Sequence, residues 1–164
     1  MPRVSSGIVL SSRGYSFTEF AEPSSEPSYS DMRFRDIVPE FSGIELGGER
    51  LYLHQYEAYS ALKKGFNIVL RAGTGSGKTE AWVLYVLDEL KSSGDFYVVA
   101  LYPTLALAND QVKRIVRYMG LIGKTPVQID SVRKEEYVKE RGLGSLRSYI
   151  ATSNLVIKNP TFLR

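Results

Sequence analysis

Residues 72–79 read Ala72-Gly73-Thr74-Gly75-Ser76-Gly77-Lys78-Thr79, and no other stretch restricts the fold as tightly. Three glycines alternate with small hydroxyl residues and end in Lys-Thr at the start of a helical pattern. Glycine has no Cβ, so the backbone can wrap closely and turn successive N–H groups toward one anion. A helix starting at Lys78 adds unpaired N–H groups and the positive end of its dipole. The Lys78 ammonium can reach the outer phosphates of a bound nucleotide, and the Thr79 hydroxyl can ligate Mg²⁺. Such a loop needs a buried strand before it and a helix after it. Both are predicted here: residues 67–70 are the apolar run Asn-Ile-Val-Leu, and the helix runs on to about Leu90, closing near Gly94. A chance glycine turn has no reason to carry both flanks.

The rest of the chain fits that frame from residue 51 onward. Residues 52–62 read as a helix ending near Gly65. Residues 96–102, Phe-Tyr-Val-Val-Ala-Leu-Tyr, read as a second buried strand, followed by a helix from Leu105 to about Tyr118. Val127-Gln128-Ile129 predicts a short strand, residues 134–139 a polar helix, and Leu155-Val156-Ile157 a last strand. Apolar strands separated by helices predict a parallel α/β sheet. Residues 1–50 differ in character and are expected to form an N-terminal extension. Ile8-Val9-Leu10 predicts a short strand, and Glu22-Pro23-Ser24-Ser25-Glu26-Pro27-Ser28 a linker. The aromatics Tyr15, Phe17, Phe20, Phe34 and Phe41 predict that this extension packs on the main domain.

Composition narrows the chemistry. With 164 residues, there is room for one ordinary domain and an appendage, not for two domains with a cleft between them. The chain has no Cys, which excludes disulfides, thiolate metal sites and cysteine nucleophiles. Its one His, His54, makes a histidine metal centre or a Ser-His-Asp triad improbable. No long apolar stretch follows the N-terminus, so neither a signal peptide nor a membrane span is expected, and the sequence predicts a soluble, cytoplasmic protein. Charge is unevenly divided. Residues 1–50 hold five Arg and no Lys against eight acids, a balance of −3; residues 51–164 hold sixteen basic against ten acidic residues, +6. The basic part suits a phosphate-bearing partner, although a solvated Lys/Arg surface gives the same balance.

One detail of the loop is specific. The general phosphate-loop pattern begins with Gly, and here that position is Ala72. An Ala-x-x-Gly-x-Gly-Lys-Thr loop resembles motif I of superfamily 2 helicases, the DEAD/DEAH-box-like enzymes. The resemblance implies an α/β, P-loop NTPase fold of the RecA-like kind, a parallel sheet flanked by helices. It implies ATP and Mg²⁺ as cofactors, with Gly73, Thr74, Gly75, Ser76, Gly77, Lys78 and Thr79 holding the nucleotide. Lys78 and Thr79 are then the catalytic pair, and Thr79 the metal ligand. Leu51-Tyr52-Leu53-His54-Gln55 is similar to the stretch ahead of motif I, whose Gln reads the adenine edge through one donor and one acceptor. That assigns Gln55, 23 residues before Lys78, to adenine.

Two further segments follow in helicase order. Ala100-Leu101-Tyr102-Pro103-Thr104-Leu105-Ala106-Leu107-Ala108 resembles motif Ia, which holds a nucleic-acid backbone by N–H and hydroxyl groups. Leu105 replaces the usual base, and Thr104 is equally suited to cap a helix. Leu155-Val156-Ile157-Lys158-Asn159-Pro160-Thr161-Phe162-Leu163 resembles motif Ic, with Lys158 and Thr161 departing from the usual form. Residues 125–131 show no clear motif Ib. The resemblance therefore assigns Pro103, Thr104, Lys158 and Asn159 to single-stranded DNA or RNA, and implies a second RecA-like lobe as partner in cis or in trans. The overall look is similar to the archaeal and bacterial DNA-repair branch.

Hydrolysis needs an acidic pair at the end of a buried strand. In the family it follows motif Ic, and no such pair occurs up to Arg164. Asp88-Glu89 follows four apolar residues, but Asp88 lies ten residues after Lys78 on the helix the loop begins. At 1.5 Å per residue that helix carries it away from the phosphates. Asp130 follows an interrupted run and has no Glu beside it. The expected molecule is thus an incomplete first lobe that binds ATP without hydrolysing it and leaves an apolar sheet edge or face open. Two alternatives stand beside it: a small P-loop kinase or other NTPase using Asp130 for Mg²⁺, and a non-catalytic interaction module that keeps the loop as scaffold.

Overall fold

A computed structural model describes residues 11–16, 26–93 and 95–159. The expected strand at Ile8-Val9-Leu10, the aromatics Phe17 and Phe20, linker residues 22–25, Gly94 and residues 160–164 lie outside them. Strand β1 (Tyr29–Arg33) pairs antiparallel with β2 (Arg50–Tyr52). Between them lie a single helical turn, α1 (Phe34–Ile37), and two 3₁₀ turns, Pro39–Gly43 and Glu45–Gly48. Helix α2 (Leu53–Lys63) follows β2 directly. Beyond the glycine-rich loop come α3 (Lys78–Ser92), β3 (Val98–Leu101), α4 (Leu105–Leu121), β4 (Val127–Ile129), α5 (Ser131–Ala151) and β5 (Leu155–Lys158).

The last three strands form one parallel sheet in the order β3-β5-β4. Register decides which helix covers which face, because side chains of paired residues point the same way and alternate along a strand. Val98 and Ala100 pair with Leu155 and Ile157, and this set packs against α3 and α4. Val127 pairs with Val156, so Val127 and Ile129 face the other side, where Leu146, Tyr137, Val138 and Ile150 of α5 cover them. The chain steps across the sheet one way through α4 and returns through α5. Right-handed crossovers in opposite directions require helices on opposite faces, as found.

Helix α3 sits at the centre of the core. It buries Ala81, Val83, Leu84, Val86, Leu87 and Leu90. Against them pack Ile115 and Met119 of α4, Leu155 and Ile157 of β5, and Phe34, Val38, Phe41 and Leu51 from the β1–β2 segment. The core thus draws on residues from both sides of residue 50. Phe34 and Phe41 pack on the main body as anticipated from their type, whereas Tyr15 is exposed. Tyr59 and Lys63 of α2 meet Asp88 and Glu89 of α3, with Tyr59 Oη donating to Asp88 at 2.9 Å. Burial, and then that hydrogen bond, push the Tyr59 phenol up to about 12. No helix among the described residues is long and apolar enough to cross a membrane.

One expectation fails. Residues 67–70 were predicted as a buried strand entering the loop, but they join no ladder. Ile68 and Leu70 turn inward and Val69 is fully exposed. The alternation is that of a strand, yet no neighbouring strand among the described residues offers hydrogen bonds, so the main chain stays merely extended. The complementary gap is at β3. Val98 and Tyr102 donate to Asn154 and Lys158 of the β5 segment, so alternation turns the Val99 and Leu101 amides to the open edge. Their side chains, with Tyr97, are among the exposed large apolar groups. Among the described residues no strand pairs with this edge, which is the open apolar edge expected from the sequence. Because Leu87 has no exposed surface, Leu87→Ala should cost about 2–5 kcal/mol of stability, read as a lower urea midpoint at unchanged slope.

Candidate functional site

The loop takes its shape from glycine conformations and from side chains that tie it down. Gly75 and Gly77 hold φ of 79° and 72°, a left-handed region that L-residues avoid. Gly77 is the residue from which α3 starts. A Cβ there would lie 2.2 Å from Gln55 Nε2. Ser76 Oγ donates to the Gly73 carbonyl at 2.8 Å, closing the turn. Lys78 Nζ donates to the carbonyls of Ala72, at 2.9 Å, and Gly73, so the ammonium lies folded over the loop it is expected to serve. Thr79 Oγ1 donates to Gln111 Oε1 of α4 at 2.7 Å.

From the other side, α2 braces the loop. Gln55 is buried; its Oε1 accepts the Tyr52 N–H at 2.9 Å and its Nε2 donates to the Gly77 carbonyl at 2.9 Å. The acceptor and one donor of the amide expected to face adenine are therefore engaged within the chain, and here Gln55 fastens α2 to the loop. His54 Nε2 lies 2.8 Å from the Ser76 carbonyl. Its ring stacks on Tyr52 at 5.5 Å, and Tyr52 stacks on Tyr29 at 5.1 Å. A cavity of about 340 Å³ opens beside these rings, lined by Tyr52, His54 and loop residues 72–76.

Below the loop, Glu80 is buried and joins α3 to α4. Its Oε1 accepts from Arg114 Nη1 at 3.1 Å and Tyr118 Oη at 3.0 Å, while Oε2 has no partner. Burial first, and the Glu80 charge second, push the Tyr118 phenol well above its ordinary value. His54, Gln111 and this Glu80 group were not singled out as site residues from sequence. Their partners lie 22 to 38 residues away, a separation that leaves no periodic signal.

The two segments expected to meet nucleic acid come together at the sheet's C-terminal edge. Leu101 is in register with Lys158, and the Tyr102 N–H donates to the Lys158 carbonyl at 2.9 Å. Pro103 and Thr104 thereby emerge beside Lys158 and Asn159. Thr104 caps α4, its Oγ1 accepting from the Leu107 N–H at 3.2 Å. The acidic candidates are occupied elsewhere. Asp88 meets Tyr59 and Lys63, and Asp130 caps α5 by accepting the Arg133 N–H at 2.9 Å. No cluster of three His, Cys, Asp or Glu capable of holding a metal occurs among the described residues. The site nonetheless suits Mg²⁺ carried by phosphates. That ion keeps most of its waters and takes one or two protein ligands plus substrate oxygens, and the lone pairs of Thr79 Oγ1 lie opposite its committed proton.

The sequence profile of DEAD/DEAH box helicases matches residues 52–163, and the chain belongs to that family. Among its relatives is the ATP-dependent helicase hrq1 of Schizosaccharomyces pombe, 27% identical over 115 residues, which are 70% of this chain and 10% of that protein. Another is the uncharacterized ATP-dependent helicase YprA of Bacillus subtilis, 38% identical over 78 residues, 46% of this chain and 10% of that protein. In three dimensions the chain resembles the DUF1998 helicase MrfA bound to DNA and AMPPNP, with a TM-score of 0.64 and 26% identity over 85% of this chain and 19% of that one. The chain thus spans a tenth to a fifth of the length of these proteins. Membership of an ATP-dependent helicase family implies use of ATP, and the RecA-like α/β class expected from the sequence is the one found.

Gly77→Ala tests the loop's construction. A side chain at φ 72° and against Gln55 should cost about 1–2 kcal/mol or more and release α2 from the loop. A lower melting temperature and faster amide exchange at residues 73–79 would register it.

Proposed function

We propose that this chain is the ATP-binding front portion of the first RecA-like lobe of a superfamily 2 helicase or translocase. Residues 51–164 form the partial lobe and residues 1–50 an N-terminal extension. The observation that carries the reading is the joint geometry of the loop. Gly75 and Gly77 are left-handed, Lys78 is poised over the loop carbonyls, and Thr79 opens a helix fixed in the core. Residues 73–79 would hold the phosphates of ATP, Lys78 supplying charge and Thr79 a ligand for Mg²⁺, with adenine near Gln55 and the Tyr52–His54 stack. When bound, ATP would supply the binding free energy that closes such a lobe on its partner.

Single-stranded nucleic acid would cross Pro103, Thr104, Lys158 and Asn159, which adjoin at one sheet edge. A structural relative is bound to DNA and AMPPNP, which supports a nucleotide site and a nucleic-acid site in the same kind of protein. A second RecA-like lobe supplies the opposing face. No described strand of the sheet ends in an acidic pair: Leu101 leads to Tyr102-Pro103, Ile129 to the capping residue Asp130, and Lys158 to Asn159. We therefore expect this chain to bind ATP without turning it over.

Two measurements test this. Titration with a fluorescent ATP analogue should give saturable, Mg²⁺-dependent binding that Lys78→Ala weakens at least about tenfold, a charge-assisted contact being worth about 1.5–3 kcal/mol. Rapid ATP hydrolysis by the 164-residue chain would contradict the reading. Thr104→Ala combined with Lys158→Ala should weaken binding of a labelled single-stranded oligonucleotide and reduce its salt dependence, leaving ATP affinity unchanged. Equal loss of both would count against the separate nucleic-acid face.

A further inference from the structure

We infer that Gln111 is a positioning residue for Mg²⁺ at this site, acting by fixing the proton of the Thr79 hydroxyl. The inference rests on the nucleotide reading above and goes beyond it, since it assigns a role to a residue on a different helix, 32 positions away.

A threonine hydroxyl has one proton and two lone pairs, and its proton is free to rotate. A hydroxyl that ligates a cation must turn its lone pairs toward it and its proton away. Here the proton already points away. Thr79 Oγ1 donates to Gln111 Oε1 at 2.7 Å, which leaves both lone pairs for the cation. The acceptor is itself oriented. Gln111 Nε2 donates to Asp110 Oδ2 at 2.8 Å, and a carboxylate accepts only. The nitrogen end of the amide is thus directed at Asp110 and the oxygen end at Thr79. The chain Asp110–Gln111–Thr79 sets the rotor before any cation arrives, so the ordering cost does not fall on the binding step.

The support under this chain is stiff. Glu80, next to Thr79, accepts from Arg114 and Tyr118 on the same helix as Gln111, one and two turns further along. Two successive residues of α3 are thereby tied to three residues of α4. Helix α4 is also the one that Thr104 caps, so the helix that orients the metal ligand begins at the proposed nucleic-acid contact.

The test is a Mg²⁺ titration of the 164-residue chain with a fluorescent ATP analogue, each variant measured in excess Mg²⁺ and in EDTA. Gln111→Leu removes the acceptor at similar size. Its gain in affinity on adding Mg²⁺ should be smaller than that of the unaltered chain by about three- to tenfold, the worth of one neutral hydrogen bond. Affinity in EDTA should stay within about twofold, since no contact to nucleotide is removed. Gln111→Glu keeps an acceptor oxygen and should restore the Mg²⁺ response. Asp110→Ala, an exposed position, should give a partial loss and serves if the leucine variant does not fold, as judged by circular dichroism. A full Mg²⁺ response in Gln111→Leu, or equal weakening with and without Mg²⁺, overturns the inference while the nucleotide reading stands. No nucleotide binding by the unaltered chain overturns both.

Discussion

Enclosure of helix α3 holds the molecule together. Six of its apolar side chains are buried, and they meet three different parts of the chain. The β1–β2 segment supplies Phe34, Val38 and Phe41, α4 supplies Ile115 and Met119, and β5 supplies Leu155 and Ile157. A helix gripped on several sides cannot rotate without opening cavities on more than one of them, and interiors are packed too densely to allow that cheaply. The first residues of this helix are Lys78 and Thr79. Their placement is therefore set by apolar contacts several turns away, and the polar network at the loop refines an orientation the core has already fixed.

That division of labour explains how the loop keeps its shape without a strand ladder beneath it. Residues 67–70 pair with nothing among the described residues, so the usual support for such a loop is missing. Side chains replace it. Gln55 bonds the Gly77 carbonyl, His54 meets the Ser76 carbonyl, Lys78 folds over Ala72 and Gly73, and Gln111 takes the Thr79 proton. Together these contacts tie the loop to α2 and α4 and help satisfy its backbone polar groups in a partly enclosed site.

Local chemistry was legible in the sequence, and distant pairing was not. The loop, the cap at Thr104 and the strands at residues 98–101, 127–129 and 155–158 follow from glycine spacing, a hydroxyl before a helix and short apolar runs, all properties of adjacent residues. Asp130 likewise read as a poor metal acid and proved to be a cap. The strand at 67–70 misled because an apolar run states a preference for burial, while a strand also needs a partner. The β1–β2 pair was missed because Tyr29–Arg33 and Arg50–Tyr52 lack clear alternation, and they pair across a segment of 3₁₀ turns. Residues 134–139 read as a short polar helix, but the helix runs from Ser131 to Ala151, across Gly142, which itself leaves helical geometry at φ 80°. Gln111 reads as an ordinary amide on an amphipathic helix, and only the packing of α4 on α3 brings it to Thr79.

Among the described residues, all the parallel pairing lies within residues 98–158, whereas loop residues 72–77 lie upstream and are held mainly by side chains. The two parts therefore differ in how fast they can come apart. Opening the sheet breaks consecutive ladder bonds together with the core on both faces, a cooperative and rare event. Releasing the loop needs only a few side-chain hydrogen bonds to part, none of them obliging its neighbours to follow. The molecule has a slow half and a fast half, and the fast half is the one expected to admit and release its ligand.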